Sequence, residues 1–594
     1  MSPAKKPDFG DFKVQGKCCL LIIALGLVIY GNHLHNAFQF DSVAYIVNNP
    51  NLDRPKEILT LEFLISEIKS RGLLRMSMAV NAALGGDRPF GYHLFNLTFH
   101  IFNSLLLFFI SKKVFRGFLR NQEDWDELET RKMSLFTAIL FLCHPIQTES
   151  VVYIISRSEV LAATFYLGGF FLFQSFWERR RTTSNVMKFL WLPLLFFIVF
   201  FLGFSVKQTL ITLPALLLFY ALFQLDKNSM PIQWLIKWKW VLAGILLLAL
   251  AILMRKLLTD ESFLIGPSNP EEMVGRKKYM LSQPSVLVFY YLKLLLFPVN
   301  LNIDPDIPVV TNLLSWRFLG PAALIAALIW LGRNAAKSRI YLFALLWFFV
   351  ILSPSSSIIT LHDLAAEHRV YLASYGFFLV MVTAVWHLTG TRRQSPKNSQ
   401  RWVTFFLLIA FSGALGLMTV KRNLTWKSEL ALWEDTRKKS PHLVRPLINL
   451  GRANSLAGQT DRAIFYYETS LKKAPHVFSL NYNLGELYLA KNRMGEALKR
   501  FKLAETLSPH IPEVHGKLGE VYMKTGQYDL ADRYFKKAVE LNPKYPIAFR
   551  NLGILNYFHL DRPRQGIVYF TRSLTLDPDQ PQADKVRELI SRNQ

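Results

Sequence analysis

Ionisable residues recur in this chain in one kind of place, the ends of apolar runs. Asp41 follows the first run within a few residues, in FDSVAYIVNNPNL, and Arg75 and Arg88 lie further along the same loop. The stretch CHPIQTESVVYIISRSEVLAA supplies His144, Gln147, Glu149, Arg157 and Glu159 between two later runs. SVKQT supplies Lys207 and Gln208, and LHDLAAEHRVYL supplies His362, Asp363, Glu367, His368 and Arg369 just before another run. Arg and Lys are the side chains that hold an anionic phosphate. A carboxylate beside them can take the proton of an attacking hydroxyl. One such residue alone reads as a helix cap or a structural pair. Gathered on one face, a carboxylate, two imidazoles, a lysine and several arginines suggest a site. No zinc-ligand spacing is present, and Asp304-Pro305-Asp306 is the one candidate for a hard cation.

The elements that must position these residues are membrane spans. The chain has 594 residues, is 51% hydrophobic with 47 Phe, and has a mean hydropathy of +0.21; a soluble enzyme of this length is rarely so apolar, and a polytopic membrane protein is the first expectation. Apolar runs fall at about 18–36, 91–111, 133–150, 158–177, 189–205, 209–225, 240–257, 318–332, 340–357, 370–388 and 402–420. The segment 286–299 is too short to cross comfortably and carries Lys293, so it reads as interfacial or re-entrant. With eleven spans and the N-terminus in the cytoplasm, the inside segments hold 24 Lys/Arg in 81 residues and the outside segments 15 in 133. That asymmetry sets the orientation. It puts the ionisable clusters and everything after residue 421 on the outer side. The net charge of +26 then belongs to short cytoplasmic loops and does not imply nucleic acid. The three cysteines, Cys18, Cys19 and Cys143, all lie in apolar stretches and cannot build a disulfide framework.

Beyond residue 421 the pattern changes to a repeat. Gly451, Gly485, Gly519 and Gly553 are 34 residues apart, and Pro441, Pro475, Pro509 and Pro543 keep the same interval. Ala463, Ala497 and Ala531 hold a constant phase, with Gly566 in the last unit. This is the tetratricopeptide pattern: two helices packed through small residues, the second stopped by Pro. Four units, with LALWEDTRKKSP as a leading half, predict a superhelix that binds an extended peptide. The expected domains are a membrane domain over 1–420, a connecting helix or half repeat over 421–441, and an extracytoplasmic repeat domain over 442–594.

The loop FDSVAYIVNNPNL, the segments GYHLFNLTFHIFNSL, HPIQTESV and ISRSEVLAA, the VKQT turn and the terminal repeats together resemble the transmembrane and tetratricopeptide-repeat O-mannosyltransferase family, in particular its compact bacterial members. The resemblance covers nearly the whole chain. It implies an all-α fold, a polytopic domain like that of C-type glycosyltransferases followed by a repeat solenoid. It also implies a polyprenyl- or dolichyl-phosphate sugar as donor, a Ser/Thr hydroxyl of a protein as acceptor, inversion at the anomeric carbon, and no metal or other cofactor. By this resemblance Asp41 is the catalytic base. Arg369, Lys207 and Arg157 hold the donor phosphate, and His144, Glu149, Glu159, His368 and Glu367 support the site. Three positions depart from the family pattern: Ser42 stands where a second acid follows the first, Gln147 stands where the family often has a second His, and Gln208 replaces an acid after Lys207. The competing expectation is a non-catalytic membrane scaffold that presents the repeats to a partner. The outer side is the periplasm if the membrane is a bacterial inner membrane, which the resemblance favours, and the endoplasmic-reticulum lumen if it is eukaryotic.

Overall fold

The computed structural model describes residues 9–52, 54–67, 71–119, 127–182, 191–224, 274–334, 339–356, 360–388 and 398–592. All regular structure among these residues is helical. The chain divides into two compact units, Met1–Lys439 and Ser440–Gln594.

The first unit is an integral-membrane helical domain. Four helices, Lys13–His33, Pro89–Phe118, Ile154–Arg180 and Phe405–Thr425, are long and apolar enough to cross a bilayer. A fifth crossing would be the pair Glu127–Cys143 and Pro145–Val152, bent by 51°. Five shorter apolar helices, Trp191–Phe204, Gln208–Gln224, Trp316–Gly332, Arg339–Leu352 and Ser374–Leu388, coincide with five more of the expected runs. At 1.5 Å per residue they span about 21–26 Å, less than the roughly 30 Å hydrocarbon core. The run at 240–257 lies outside the described residues. The segment 286–299 continues a helix that begins at Arg276, passes through a π-helical stretch at Val286–Leu292 and ends at Leu296. Close packing within the unit uses small residues. A Cβ at Gly376 would lie 2.4 Å from the Ala344 carbonyl oxygen, so only glycine lets helices Ser374–Leu388 and Arg339–Leu352 approach this far. The helix Glu429–Lys439, expected as a half repeat, belongs to this unit, with Lys439 Nζ on the Leu301 carbonyl at 2.7 Å.

The second unit is a tetratricopeptide solenoid of paired helices, from Arg445–Leu456 and Thr460–Lys473 to Pro546–Phe558 and Pro563–Leu576, closed by Ala583–Ser591. The 34-residue glycines explain themselves here. A Cβ on Gly451, Gly485, Gly519 or Gly553 would lie 2.5–2.7 Å from the ring of Tyr467, Phe501, Phe535 or Phe570, respectively. Each ring fills the place a side chain would take. Gly519→Ala is therefore expected to overpack the third repeat and lower stability by about 1–3 kcal/mol. The check is the denaturation midpoint of the full chain followed by a probe in the repeats.

Candidate functional site

The site is built where helix ends meet. The helix Phe9–Tyr30 ends against the end of Asn398–Thr425 through side-chain amides: Asn423 Nδ2 donates to the Ile29 carbonyl at 3.0 Å and to Asn32 Oδ1 at 2.8 Å. Asn32 Nδ2 donates to the Val420 carbonyl at 3.0 Å, and Gln39 Nε2 donates to the Trp426 carbonyl. These bonds satisfy carbonyls left over at helix termini and fix the loop that carries Asp41. Phe40, next to it, has φ of 50°. A bulky residue in this left-handed region carries about 1–2 kcal/mol of strain, held here by its ring against Trp433 at 5.3 Å. The turn leaves Asp41 half-buried beside the Tyr153 hydroxyl. Burial, and then the Asp41 carboxylate, hold Tyr153 well above the usual tyrosine pKa. Ser42 is buried, and its hydroxyl has no hydrogen-bond partner among the described residues.

The break at His144-Pro145 positions the next carboxylate. Proline pushes the residue before it into extended geometry, and His144 has φ of −72° and ψ of 128°. Its Nδ1 accepts the Ile146 N–H at 3.2 Å and its Nε2 donates to the Leu295 carbonyl at 3.2 Å. A carbonyl can only accept and an N–H can only donate, so the tautomer is assigned by its partners. Both nitrogens are used. His144 is a buried cap that starts the turn leading to the short helix Thr148–Val152, which carries Glu149.

Four of the expected residues form a continuous chain. Glu149 Oε1 lies 2.6 Å from His368 Nδ1, and Glu149 Oε2 accepts the His368 backbone N–H at 3.2 Å. His368 Nε2 lies 3.8 Å from Glu159 Oε1, and the Lys207 ammonium is in contact with the same Glu159 oxygen. Burial pulls Lys207 below the usual lysine pKa, opposed by Glu159. The charges of Asp41 and of Glu149 both reach Tyr153, which places Asp41 beside this chain. Arg369 completes the group. Its guanidinium is held by the Asp363 carbonyl at 3.0 Å and the Tyr279 hydroxyl at 3.4 Å, neither of which neutralises it.

Two expected residues have other partners. Arg157 is fully buried: Nε donates to Asn96 Oδ1 at 3.0 Å, Nη1 to the Ser77 carbonyl at 2.8 Å and Nη2 to the Tyr92 carbonyl at 3.2 Å. Phe95 stacks 4.2 Å from its guanidinium carbon. It ties loop to helix, and each of its three guanidinium nitrogens has an acceptor within the protein. Glu367 is buried beneath the site, accepting the Asn302 N–H, with Arg422 Nη2 at 3.7 Å from Oε2. Burial drives its pKa up to about 8, against Arg422 and with Glu149 adding to the rise. The folded state then holds a proton that the unfolded chain has released at its ordinary carboxylate pKa. Stability from this group is greatest at low pH and falls as pH rises toward about 8. Glu367→Gln keeps an acceptor for Asn302 but cannot ionise. It is expected to flatten that part of the melting-temperature profile between pH 5 and 8, measured in detergent. A parallel fall in both proteins would count against the assignment.

Sequence reasoning missed Arg71, Tyr153 and Arg422. Of the first-loop arginines it named, Arg75 pairs with Glu67 at 3.2 Å on the surface. Arg71 lies nearer the site, and its charge reaches both Glu159 and Lys207. Among the described residues, no three His, Cys, Asp or Glu side chains converge as metal ligands would.

Two tetratricopeptide repeat family models match residues 449–510 and 512–545. The chain is similar to human Protein O-mannosyl-transferase TMTC3, 26% identical over 492 residues, covering 75% of this chain and 50% of that protein. It is 25% identical to human Protein O-mannosyl-transferase TMTC1 over 507 residues, covering 76% and 54%. It is 24% identical to Protein O-mannosyl-transferase F38B6.6 of Caenorhabditis elegans over 459 residues, covering 75% and 61%. The chain thus spans about half the length of the first of these curated relatives. Among solved structures, MamA 41-end from Desulfovibrio magneticus RS-1 matches 25% of this chain and 85% of its own at 23% identity and a TM-score of 0.24. The TPR protein YrrB matches 31% of this chain and 91% of its own at 17% identity and a TM-score of 0.25.

Proposed function

We propose that the chain is a member of the transmembrane and tetratricopeptide-repeat O-mannosyltransferase family, in keeping with its similarity to the Protein O-mannosyl-transferases over about three quarters of its length, and that it transfers a hexose, mannose in the first instance, from a polyprenyl-phosphate carrier to a Ser/Thr hydroxyl of an acceptor protein. The observation that carries this reading is the meeting of separate helix ends at Asp41 and the Glu149–His368–Glu159–Lys207 chain, beside Arg369, whose hydrogen-bond partners are all uncharged. Asp41 takes the acceptor's proton as its oxygen forms a bond to the anomeric carbon. The bond from that carbon to the carrier phosphate breaks, and the phosphate leaves with the electron pair. A phosphate leaving group needs positive charge more than a proton. Arg369 supplies that charge, with Lys207 held ready by Glu159. Glu149 aligns His368 beside Arg369, and His144, Glu367 and Arg157 keep the surrounding turns in place.

On this reading the site and the repeats face the outer side of the membrane, the periplasm in a bacterial inner membrane. The repeats bind the acceptor or a partner chain. The second reading, a scaffold without transfer, is favoured by one observation: position 42, the place of the family's second acid, is a buried serine. The separating experiment offers the full chain in nanodiscs labelled hexoses on undecaprenyl and dolichyl phosphate, with Ser/Thr-containing peptides and with membrane proteins as acceptors. Sugar recovered in O-linkage supports the enzyme. No transfer from any of these donors, by a chain that still binds a partner through its repeats, would establish the scaffold.

A further inference from the structure

We propose that Arg71 is a ligand for the headgroup phosphate of the carrier lipid, forming with Arg369 and Lys207 a three-cation seat that the resemblance did not include. This rests on the reading above that the site takes a phosphate-bearing lipid. Three observations carry it. First, Arg71 stands where the loop docks: the Leu73 N–H donates to the buried Ser205 hydroxyl at 3.2 Å, two residues from Lys207. Second, among the described residues no carboxylate lies within 4.0 Å of Arg71 or of Arg369, whereas Lys207 is paired with Glu159 and Arg75 with Glu67. Two guanidinium groups with no carboxylate at ion-pair distance therefore flank one ion pair, and both charges reach Lys207. Third, Arg71 has φ of 64° and precedes Gly72, at which a Cβ would lie 2.9 Å from the Glu67 carbonyl oxygen. A long side chain in the left-handed region is uncommon, and Asn or Gly would sit there at lower cost. Strain of this kind collects at ligand clamps. The chemistry of the seat is that of a phosphate ester: forked donors from two arginines and a point charge from lysine.

The left-handed backbone also supplies clean variants. Arg71→Asn and Arg71→Gly remove the charge while accepting the same conformation, and Arg71→Lys keeps the charge without the fork. Binding of undecaprenyl phosphate to the full chain in nanodiscs is measured beside undecaprenol, which lacks the phosphate, and Arg88→Ala serves as a loop control. The expected result is that wild type prefers the phosphate lipid. Asn and Gly each weaken that binding at least tenfold, Lys weakens it less, and Arg88→Ala leaves it unchanged. Wild-type affinity in both the Asn and Gly variants, with loss in Arg369→Ala, would remove Arg71 from the seat and leave the proposed function standing. Equal binding of phosphate lipid and alcohol by wild type would overturn the donor reading, and Arg71's role with it.

Discussion

Asp41→Asn is expected to lower sugar transfer by about 10²–10⁴-fold, the usual contribution of a positioned base. Asparagine keeps the size of the side chain and an acceptor oxygen, so the loop has no reason to move. What it loses is the ability to take the acceptor's proton. Undecaprenyl phosphate binding should stay within a few-fold of wild type, because Lys207 and Arg369 come from other loops and Arg71 is held by the docking of Leu73 on Ser205. Transfer within threefold of wild type would show that another group is the base. Glu149 is the obvious rival by charge, but both of its oxygens already face His368. Asp41 is half-buried and borders the Tyr153 hydroxyl, at the margin of the site where an acceptor can reach it. The departure at Ser42 also gains a physical sense. That side chain points into a buried environment, where a carboxylate without a partner would be costly. Serine at 42 removes a charge from the interior and leaves Asp41 in place.

The all-α class and the solenoid were legible because their signals are periodic. A 34-residue interval repeated in Gly, Ala and Pro is the signature of stacked helix pairs, and the structure shows each of the four glycines beneath an aromatic ring. Ten of the eleven apolar runs coincide with apolar helices or the bent pair. What each residue touches was not readable, because the partners are far apart in sequence. Lys207 and Glu159 lie 48 positions apart and Glu149 and His368 lie 219 apart. The local signal at His144 was available in the His-Pro dipeptide, which predicts an extended residue able to cap the next turn. Arg71 gave almost no signal among the basic residues of the first loop. Its left-handed backbone and its nearness to Lys207 come from the packing of the loop against Ser205, which no window of the sequence contains.

Arg157→Ala is expected to destabilise the membrane unit by roughly 3 kcal/mol or more. The substitution would leave the Asn96 side-chain oxygen without its donor, at about 1–3 kcal/mol for a buried group left unpaired, and would take the second donor from the Ser77 and Tyr92 carbonyls, which sit inside helices. It would also open a cavity beside Phe95. Arg157→Lys should recover only part of this, because one ammonium cannot reach three acceptors that the planar fork meets at once. The measurements are the melting temperature in detergent and the affinity for undecaprenyl phosphate of whatever fraction remains folded. A positioning role predicts a large fall in melting temperature with near-normal affinity in the folded fraction. A phosphate ligand predicts the reverse, with a stable protein that has lost its lipid. The comparison with Arg369→Ala makes the two cases distinct, since Arg369 donates to the Asp363 carbonyl and the Tyr279 hydroxyl at the margin of the site, is only partly buried, and should lose lipid before it loses stability. On the proposed function Arg157 is a positioning residue: it fixes the start of the helix Arg157–Thr182 against the helix Gly72–Gly85, and the first of these helices carries Glu159 to Lys207.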